Sequence, residues 1–172
     1  PLSVSMALAM TYNGAAGETQ QAMAKALELE GMTLQEVNGA NAELRKSLEN
    51  PDAKVELTLA NSLWARQGVE FKLDFLQRNR QFFGAEIASL DFDEPKAPEI
   101  INQWVNANTK GKIQKIVEQI DPQTVMFIIN ATYFKGIWKM EFDKSKTREG
   151  LFYLPDGNGK QVLMMSQSGK YP

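Results

Sequence analysis

The chain has 172 residues, enough for one sizeable hydrophobic core and too few to expect two. At 43% hydrophobic and 23% charged residues, with a formal net charge of -2, it has the composition of an ordinary globular protein and not that of an electrostatic binder of nucleic acid. It contains no cysteine and no histidine, which excludes disulfides, thiolate chemistry, a Ser-His-Asp triad and the usual zinc sites within these residues.

No stretch is apolar for the roughly eighteen residues that a membrane-spanning helix needs, and the start lacks the charged, apolar and small-residue blocks of a signal peptide. Pro1-Leu2-Ser3 launches straight into a helical pattern, and Lys170-Tyr171-Pro172 stops just after a predicted strand. Neither end has a polar tail, so the expectation is a piece of a longer chain.

Pro1 suits the first position of a helix, where its missing N–H costs nothing. Leu2 to Tyr12 then carries small and apolar residues on nearly every side (Met6, Ala7, Leu8, Ala9, Met10), which predicts a helix buried all round, ended by Asn13-Gly14. A second helix is predicted over Thr19 to Leu29, closed by Gly31. Thr33-Leu34-Gln35-Glu36 is a capping box for a third, in which Val37, Ala40, Leu44 and Leu48 share a face down to Asn50-Pro51. Its adjacent Arg45 and Lys46 read as a solvated face.

Val55 to Trp64 alternates with period two and predicts a strand, turned by Arg66-Gln67-Gly68. Leu73 to Phe83 predicts an amphipathic helix with Leu73, Leu76, Phe82 and Phe83 inward and Gly84 as its cap. Ala85 to Phe92 predicts a short strand. Glu99 to Thr109 predicts a helix directing Ile100, Ile101, Trp104 and Val105 to the core, stopped at Gly111. Ile113, Ile116, Val117 and Ile120 recur near helical spacing before Asp121-Pro122.

Val125 to Phe142 is the most apolar stretch. Its β-branched and aromatic residues predict a strand covered on both faces in the middle of a sheet. Lys135-Gly136 allows a bend or a close backbone approach, and Trp138 is expected to return to a buried or partly buried position. Leu151 to Leu154 and Val162 to Met165 flank Pro155-Asp156-Gly157-Asn158-Gly159, which predicts a hairpin.

Few constellations suggest chemistry. Asp91, Asp93 and Glu94 lack the glycine and distal glutamate of a calcium loop, so a solvated acidic turn is the plainer reading. Lys110-Gly111-Lys112 lacks the lead and the hydroxyl residue of a phosphate loop and reads as a helix terminus. Asn130-Ala131-Thr132 matches a glycosylation sequon but falls inside the apolar strand, where no glycan fits. A buried amide still needs a partner, since leaving it unpaired costs about 1–3 kcal/mol. A hydroxyl from the first helix, Ser3 or Ser5, is of an available type.

Several blocks together resemble one family. Pro1 to Met10 with Gly14-Ala15-Ala16-Gly17-Glu18-Thr19 is similar to the serpin helix after the first. Ala60-Asn61-Ser62-Leu63-Trp64 resembles the second strand of the family's large central sheet, sheet A. Ile101-Asn102-Gln103-Trp104-Val105 and Thr109-Lys110-Gly111-Lys112-Ile113 are similar to the helix crossing the front of that sheet. Asn130 to Trp138, followed by Phe142, resembles its central strand and the turn beyond, and the hairpin fits as well. The blocks occur in family order over nearly the whole chain.

The resemblance implies an α+β fold: a partial serpin fold with a mixed large central sheet packed with several helices, plus a hairpin of a second sheet. Residues 1–172 would form an incomplete domain lacking the first helix, the reactive loop and the C-terminal strands. It implies no enzyme and no cofactor or metal, but inhibition of a target serine or cysteine protease. The reactive loop is cleaved and inserts as a new strand beside Val125 to Phe134. Ser3, Ser5 and Asn130 would then belong to the polar shutter beneath the central strands. Gly136 and Trp138 would lie at the breach where insertion begins, and Trp104 on the front helix that must move aside. The implied partners are the protease and the remaining C-terminal part of the serpin, with no nucleic acid and no membrane; family analogy gives an extracellular or secreted setting, with an intracellular one as the alternative. A non-inhibitory serpin acting as a binding or chaperone-like module is the alternative, and a hydrolase or metalloenzyme is hard to sustain without histidine or cysteine.

Overall fold

The computed structural model describes residues 2–49 and 51–169, so the expectations at Pro1, at Asn50 and at the last three positions lie outside the described residues. The chain divides into two compact units, Pro1–Lys135 and Gly136–Pro172.

In the first unit the order is α1 (Leu2–Tyr12), α2 (Gly17–Ala26), α3 (Leu34–Leu48), β1 (Val55–Arg66), α4 (Leu73–Phe83), β2 (Glu86–Leu90), α5 (Ala97–Asn108) and β3 (Met126–Gly136). The strands pair in the order β2-β1-β3. β1 and β2 are parallel, from Ser62 opposite Glu86 to Arg66 opposite Leu90. β3 runs against β1: the N–H of Arg66, ending β1, donates to the carbonyl of Val125, just ahead of β3, at 2.9 Å. The sheet is therefore mixed.

Strand pleating sends alternate side chains to opposite faces, and each face has its own cover. On the front, Trp64, Phe127 and Ile129 pack with Ile101 and Trp104 of α5 and with Val117 of the segment that follows it. On the back, Leu63, Ala65, Met126 and Ile128 pack with Phe75 of α4, and Ile128 also meets Ala9 and Met10 of α1 and Phe83 of α4.

Two of the local start and stop signals act as expected. Thr33 Oγ1 accepts the Glu36 N–H at 3.2 Å while Glu36 Oε2 accepts the Thr33 N–H at 2.7 Å. Gly84 caps α4 at φ +60°, in the left-handed region that glycine tolerates.

Several expectations about burial are corrected, among them that Ile100 of α5 turns to the core: it is 40% exposed. β3 lies at the edge of the three-stranded order, and Phe134 is 67% exposed, because β1 is its only neighbour among the described residues. α1 buries Met6, Ala9, Met10 and Tyr12 but leaves Val4 and Leu8 exposed, since only one side of it meets the sheet and the other helices. α4 turns Phe75, Asn79 and Phe83 inward, one residue per turn, and Leu73 outward. α3 buries Val37 and Asn38 and leaves Leu44 exposed.

The segment from Ile113 to Ile120 forms no helix. Lys110 and Gly111 turn the chain at φ 50° and 78°. Asn102 then takes the backbone bonds a helix would have made: its Oδ1 accepts the N–H groups of Ile116 (2.8 Å) and Val117 (3.0 Å), and its Nδ2 donates to the Val117 carbonyl (2.7 Å).

In the second unit β4 (Arg148–Tyr153) and β5 (Gly159–Met164) form the expected antiparallel hairpin, with Tyr153 opposite Gly159. The turn is closed by the Gly157 N–H donating to the Leu154 carbonyl at 2.9 Å, with Gly157 at φ +82°. Trp138 is 63% exposed rather than buried, and its ring has an edge contact with Phe142 at 5.3 Å between centroids. Leu151, Phe152, Tyr153 and Leu163 are exposed as well. Among the described residues, no helix is long and apolar enough to cross a membrane.

Candidate functional site

Asn130 sits on the back face of β3, four residues into the strand. Its Nδ2 donates to Asn61 Oδ1 on β1 at 2.8 Å and lies 3.9 Å from the sulfur of Met6 on α1. Thr132 Oγ1 donates to Asn130 Oδ1 at 2.9 Å. Asn61 is 2% exposed, and its Nδ2 donates to the carbonyl of Phe83 at 2.8 Å, one of the carbonyls that the end of α4 leaves without a helical partner. A relay of hydrogen bonds thus runs from Thr132 through Asn130 and Asn61 to the end of α4. It ties two strands to the helix beneath them.

The partner of Asn130 is therefore an amide on the neighbouring strand, not a serine hydroxyl. Ser3 is half-buried and Ser5 exposed, and neither bonds to Asn130. The alternation of β1 already placed Asn61 on the same face as Leu59 and Leu63, a polar residue in an apolar row. That was the signal for it.

A second polar cluster joins the helices behind the sheet. Asn38 Nδ2 on α3 donates to Asn13 Oδ1 at 2.8 Å, and Asn13 Nδ2 donates to Asn79 Oδ1 on α4 at 3.1 Å, all three residues being buried. Arg78 adds a bond to the Asn13 carbonyl at 3.0 Å. Sequence reasoning missed this group, although Asn79 falls midway between Phe75 and Phe83 on the inward stripe of α4.

On the front face Trp104 anchors α5 to the sheet. Its Nε1 donates to Glu86 Oε2 on β2 at 2.8 Å, and its ring meets Trp64 edge-on at 6.4 Å. Trp64 Nε1 donates to Ser62 Oγ at 2.9 Å, and Ser62 lies opposite Glu86 in the register. Beyond the end of α5, the Lys110 ammonium pairs with the Glu56 carboxylate on β1 and lies 5.2 Å from the centroid of the Tyr133 ring on β3. The hydrogen bond to Glu56 holds the Lys110 ammonium above its ordinary pKa.

Gly136 ends β3 and is exposed, and Trp138 follows it in the second unit with Phe142 as its ring partner. The acidic turn is structural: both oxygens of Asp93 accept from Arg66 at 3.1 Å, and Asp91 Oδ1 accepts the Asp93 N–H at 3.0 Å. Among the described residues, no group of three acidic side chains could hold a metal ion. What the site offers is amides, indoles and cations that fasten strands to each other and to helices.

Comparison with known proteins identifies the pattern. A family model described as "Serpin (serine protease inhibitor)" matches residues 1–172. A horse protein named leukocyte elastase inhibitor is 38% identical over 178 residues, covering 100% of this chain and 46% of that protein. The thermophilic serpin tengpin, solved in its native state, superposes with a TM-score of 0.86 at 37% identity, over 96% of this chain and 42% of tengpin. Human thyroxine-binding globulin, solved in complex with thyroxine, gives 0.86 at 31% identity, over 96% of this chain and 45% of that one. The chain spans about half the length of the curated relatives it matches.

Proposed function

The chain belongs to the serpin family, and from that premise we propose that it is the N-terminal-side half of a longer serpin domain that inhibits a serine protease by loop insertion. In this reading the protease cleaves a reactive loop carried by the C-terminal part. The loop then adds as a strand along the outer edge of β3, and the acylated protease is dragged with it. The protein turns over no substrate of its own. Its partners are the protease and the rest of the serpin domain.

One observation carries the reading. β3, eleven residues long, is tied to β1 on the covered face of the sheet by the Asn130–Asn61 bond, and through Asn61 to the end of α4. An added strand would gain about ten ladder bonds at about 1 kcal/mol net each, on the order of 10 kcal/mol. That is comparable to the whole stability of a domain. Asn130 and Asn61 would act as the shutter that must yield while β3 accepts its neighbour. Ser3 and Ser5 would take part only once the bonds beneath the strands rearrange. Gly136 and Trp138 would stand where entry begins, and Trp104 on the helix that moves.

The test is to incubate the full-length protein with serine proteases, beginning with an elastase, and to look for a complex that survives denaturing electrophoresis. The expected result is such a complex, and a rise in thermal midpoint once the loop is cut. No complex with any protease, and no gain in stability after cleavage, overturns the proposal. A second reading is a non-inhibitory serpin acting as a binding or chaperone-like module; thyroxine-binding globulin, a ligand-binding protein by its name, superposes as well as tengpin does. This reading predicts cleavage without complex formation. Secretion is proposed by analogy with extracellular members of the family.

A further inference from the structure

Lys110, two residues past the end of α5, has a left-handed backbone conformation, φ 50°, that residues other than glycine rarely adopt. Such a conformation persists only where its surroundings hold it in place, and it is a reason to look for function. Here the surroundings are specific. The Lys110 N–H donates to the Ala107 carbonyl at 3.2 Å, and the Gly111 N–H to that of Asn106 at 2.8 Å, closing the helix end. The turn aims the long side chain of Lys110 across the sheet, where its ammonium meets Glu56 near the start of β1 and the face of Tyr133 near the end of β3. Because the two strands run in opposite directions, those positions are neighbours. One side chain thereby fastens α5 to both strands at once.

The turn that Lys110 holds also roofs a cavity. A space of about 550 Å³ lies between Thr109, Lys112 and Ile113 on the α5 side and Thr132, Tyr133 and Phe134 on β3. Side chains of a strand added beside this part of β3 need room at this place, so a fastened turn stands in their way.

We propose that Lys110 is a latch: its joint contact with Glu56 and Tyr133 fixes the end of α5 to the β1–β3 pair and slows the passage of an added strand along β3. The inference rests on the loop-insertion reading above. Lys110 is a positioning residue, since it acts through α5 and touches neither protease nor loop. A charge pair at the surface and a cation over an aromatic ring are each weak, so the latch adjusts a rate and does not block a pathway.

The experiment uses the full-length protein, with its reactive loop nicked by a protease of broad specificity, and follows the rise in thermal midpoint with time. Lys110→Met keeps the stem and removes the charge; Lys110→Arg keeps the charge; Glu56→Gln weakens the same contact from the other side. The expected result is that Lys110→Met and Glu56→Gln reach the stabilised form about fivefold faster than wild type, a lowering of the barrier by about 1 kcal/mol. Lys110→Arg should stay within about twofold of wild type, on the weak-pair magnitudes above. Amide exchange at residues 107–113 should quicken in the first two variants and stay unchanged in α3. If wild type gains no stability after nicking, the insertion reading itself fails, and with it the role of the latch. If wild type gains stability and both charge-removing variants do so at the same rate, the latch alone is overturned. Should Lys110→Met fail to fold, Glu56→Gln decides.

Discussion

Asn61 and Asn130 face each other across antiparallel strands, the amide of Asn130 donating to the carbonyl oxygen of Asn61 at 2.8 Å on the covered side of the sheet. The pair is asymmetric. Asn130 has Thr132 and the Met6 sulfur as further neighbours, whereas Asn61 also holds the Phe83 carbonyl at the end of α4. Asn61 is thus the junction through which strand pairing and helix docking are joined.

This asymmetry orders two substitutions. Asn130→Ala leaves one buried acceptor on Asn61 without its donor, at a cost of about 1–3 kcal/mol. Asn61→Ala strands both the Asn130 amide and the Phe83 carbonyl and should cost more than Asn130→Ala. Urea midpoints of the full-length variants measure the order. An Asn61→Ala protein as stable as wild type would remove the relay from any account of the fold.

Two glycines should respond to alanine with opposite signs. Gly84 caps α4 at φ +60°, and a Cβ there would also meet the Arg45 guanidinium at 3.4 Å. Gly84→Ala should therefore destabilise by about 1–2 kcal/mol. Gly39 lies inside α3, with nothing within 4 Å of a built Cβ and no positive φ. Gly39→Ala should stabilise by about 0.5–1 kcal/mol through helix propensity and the unfolded chain. Thermal midpoints moving in the same direction for both would contradict the assignment of these backbone conformations.

The contrast between those glycines shows what the residues disclosed. Gly84 and the Thr33 box are local devices, complete within a few residues, and both were legible. The alternation of Val55 to Trp64 was legible too, since period two needs only the strand itself. Phase was harder: Leu73 and Phe75 are equally apolar, and only docking against Leu63 and Ala65 decides that Phe75 turns in. The spacing of Ile113 to Ile120 suggested a helix because Asn102, which competes for its backbone bonds, lies more than ten residues earlier in sequence. Asn79 could have been found as a polar residue on an inward stripe, whereas its partner Asn13 follows the end of α1 and bonds in turn to Asn38 on α3. The exposure of Trp138 was not legible, because apolar character states a preference and not whether a cover is present.

The capping box makes α3 sensitive to acid. Glu36 is held below its ordinary carboxylate pKa, first by the Thr33 backbone N–H and then by the Thr33 hydroxyl. A carboxylate with a depressed folded pKa stabilises the fold above its unfolded pKa, and that contribution fades as pH falls through the folded value. The affected window therefore lies below the ordinary value of 4.5. Urea midpoints of wild type and Glu36→Gln should differ most near neutral pH and converge as pH is lowered through that window. A gap that stays constant with pH would show that the carboxylate charge plays no part in the cap.

The outer edge of β3 carries the last prediction. It is a long strand with no pairing partner on that side among the described residues, and Phe134 is 67% exposed. Unpaired backbone groups beside exposed apolar side chains invite another chain to add as a strand. Within the second unit the hairpin exposes apolar residues on both of its faces, Phe152 beside Leu151 and Tyr153 on β4, and Leu163 on β5. The 172-residue chain expressed by itself should therefore self-associate as its concentration rises. Light scattering coupled to size-exclusion chromatography measures this directly. Phe134→Lys places a charge at the exposed edge and should reduce the association severalfold without shifting the far-ultraviolet spectrum. A chain that stays monomeric and melts cooperatively would mean that β3 protects its own edge, and the proposal that another strand completes it would lose its physical motive.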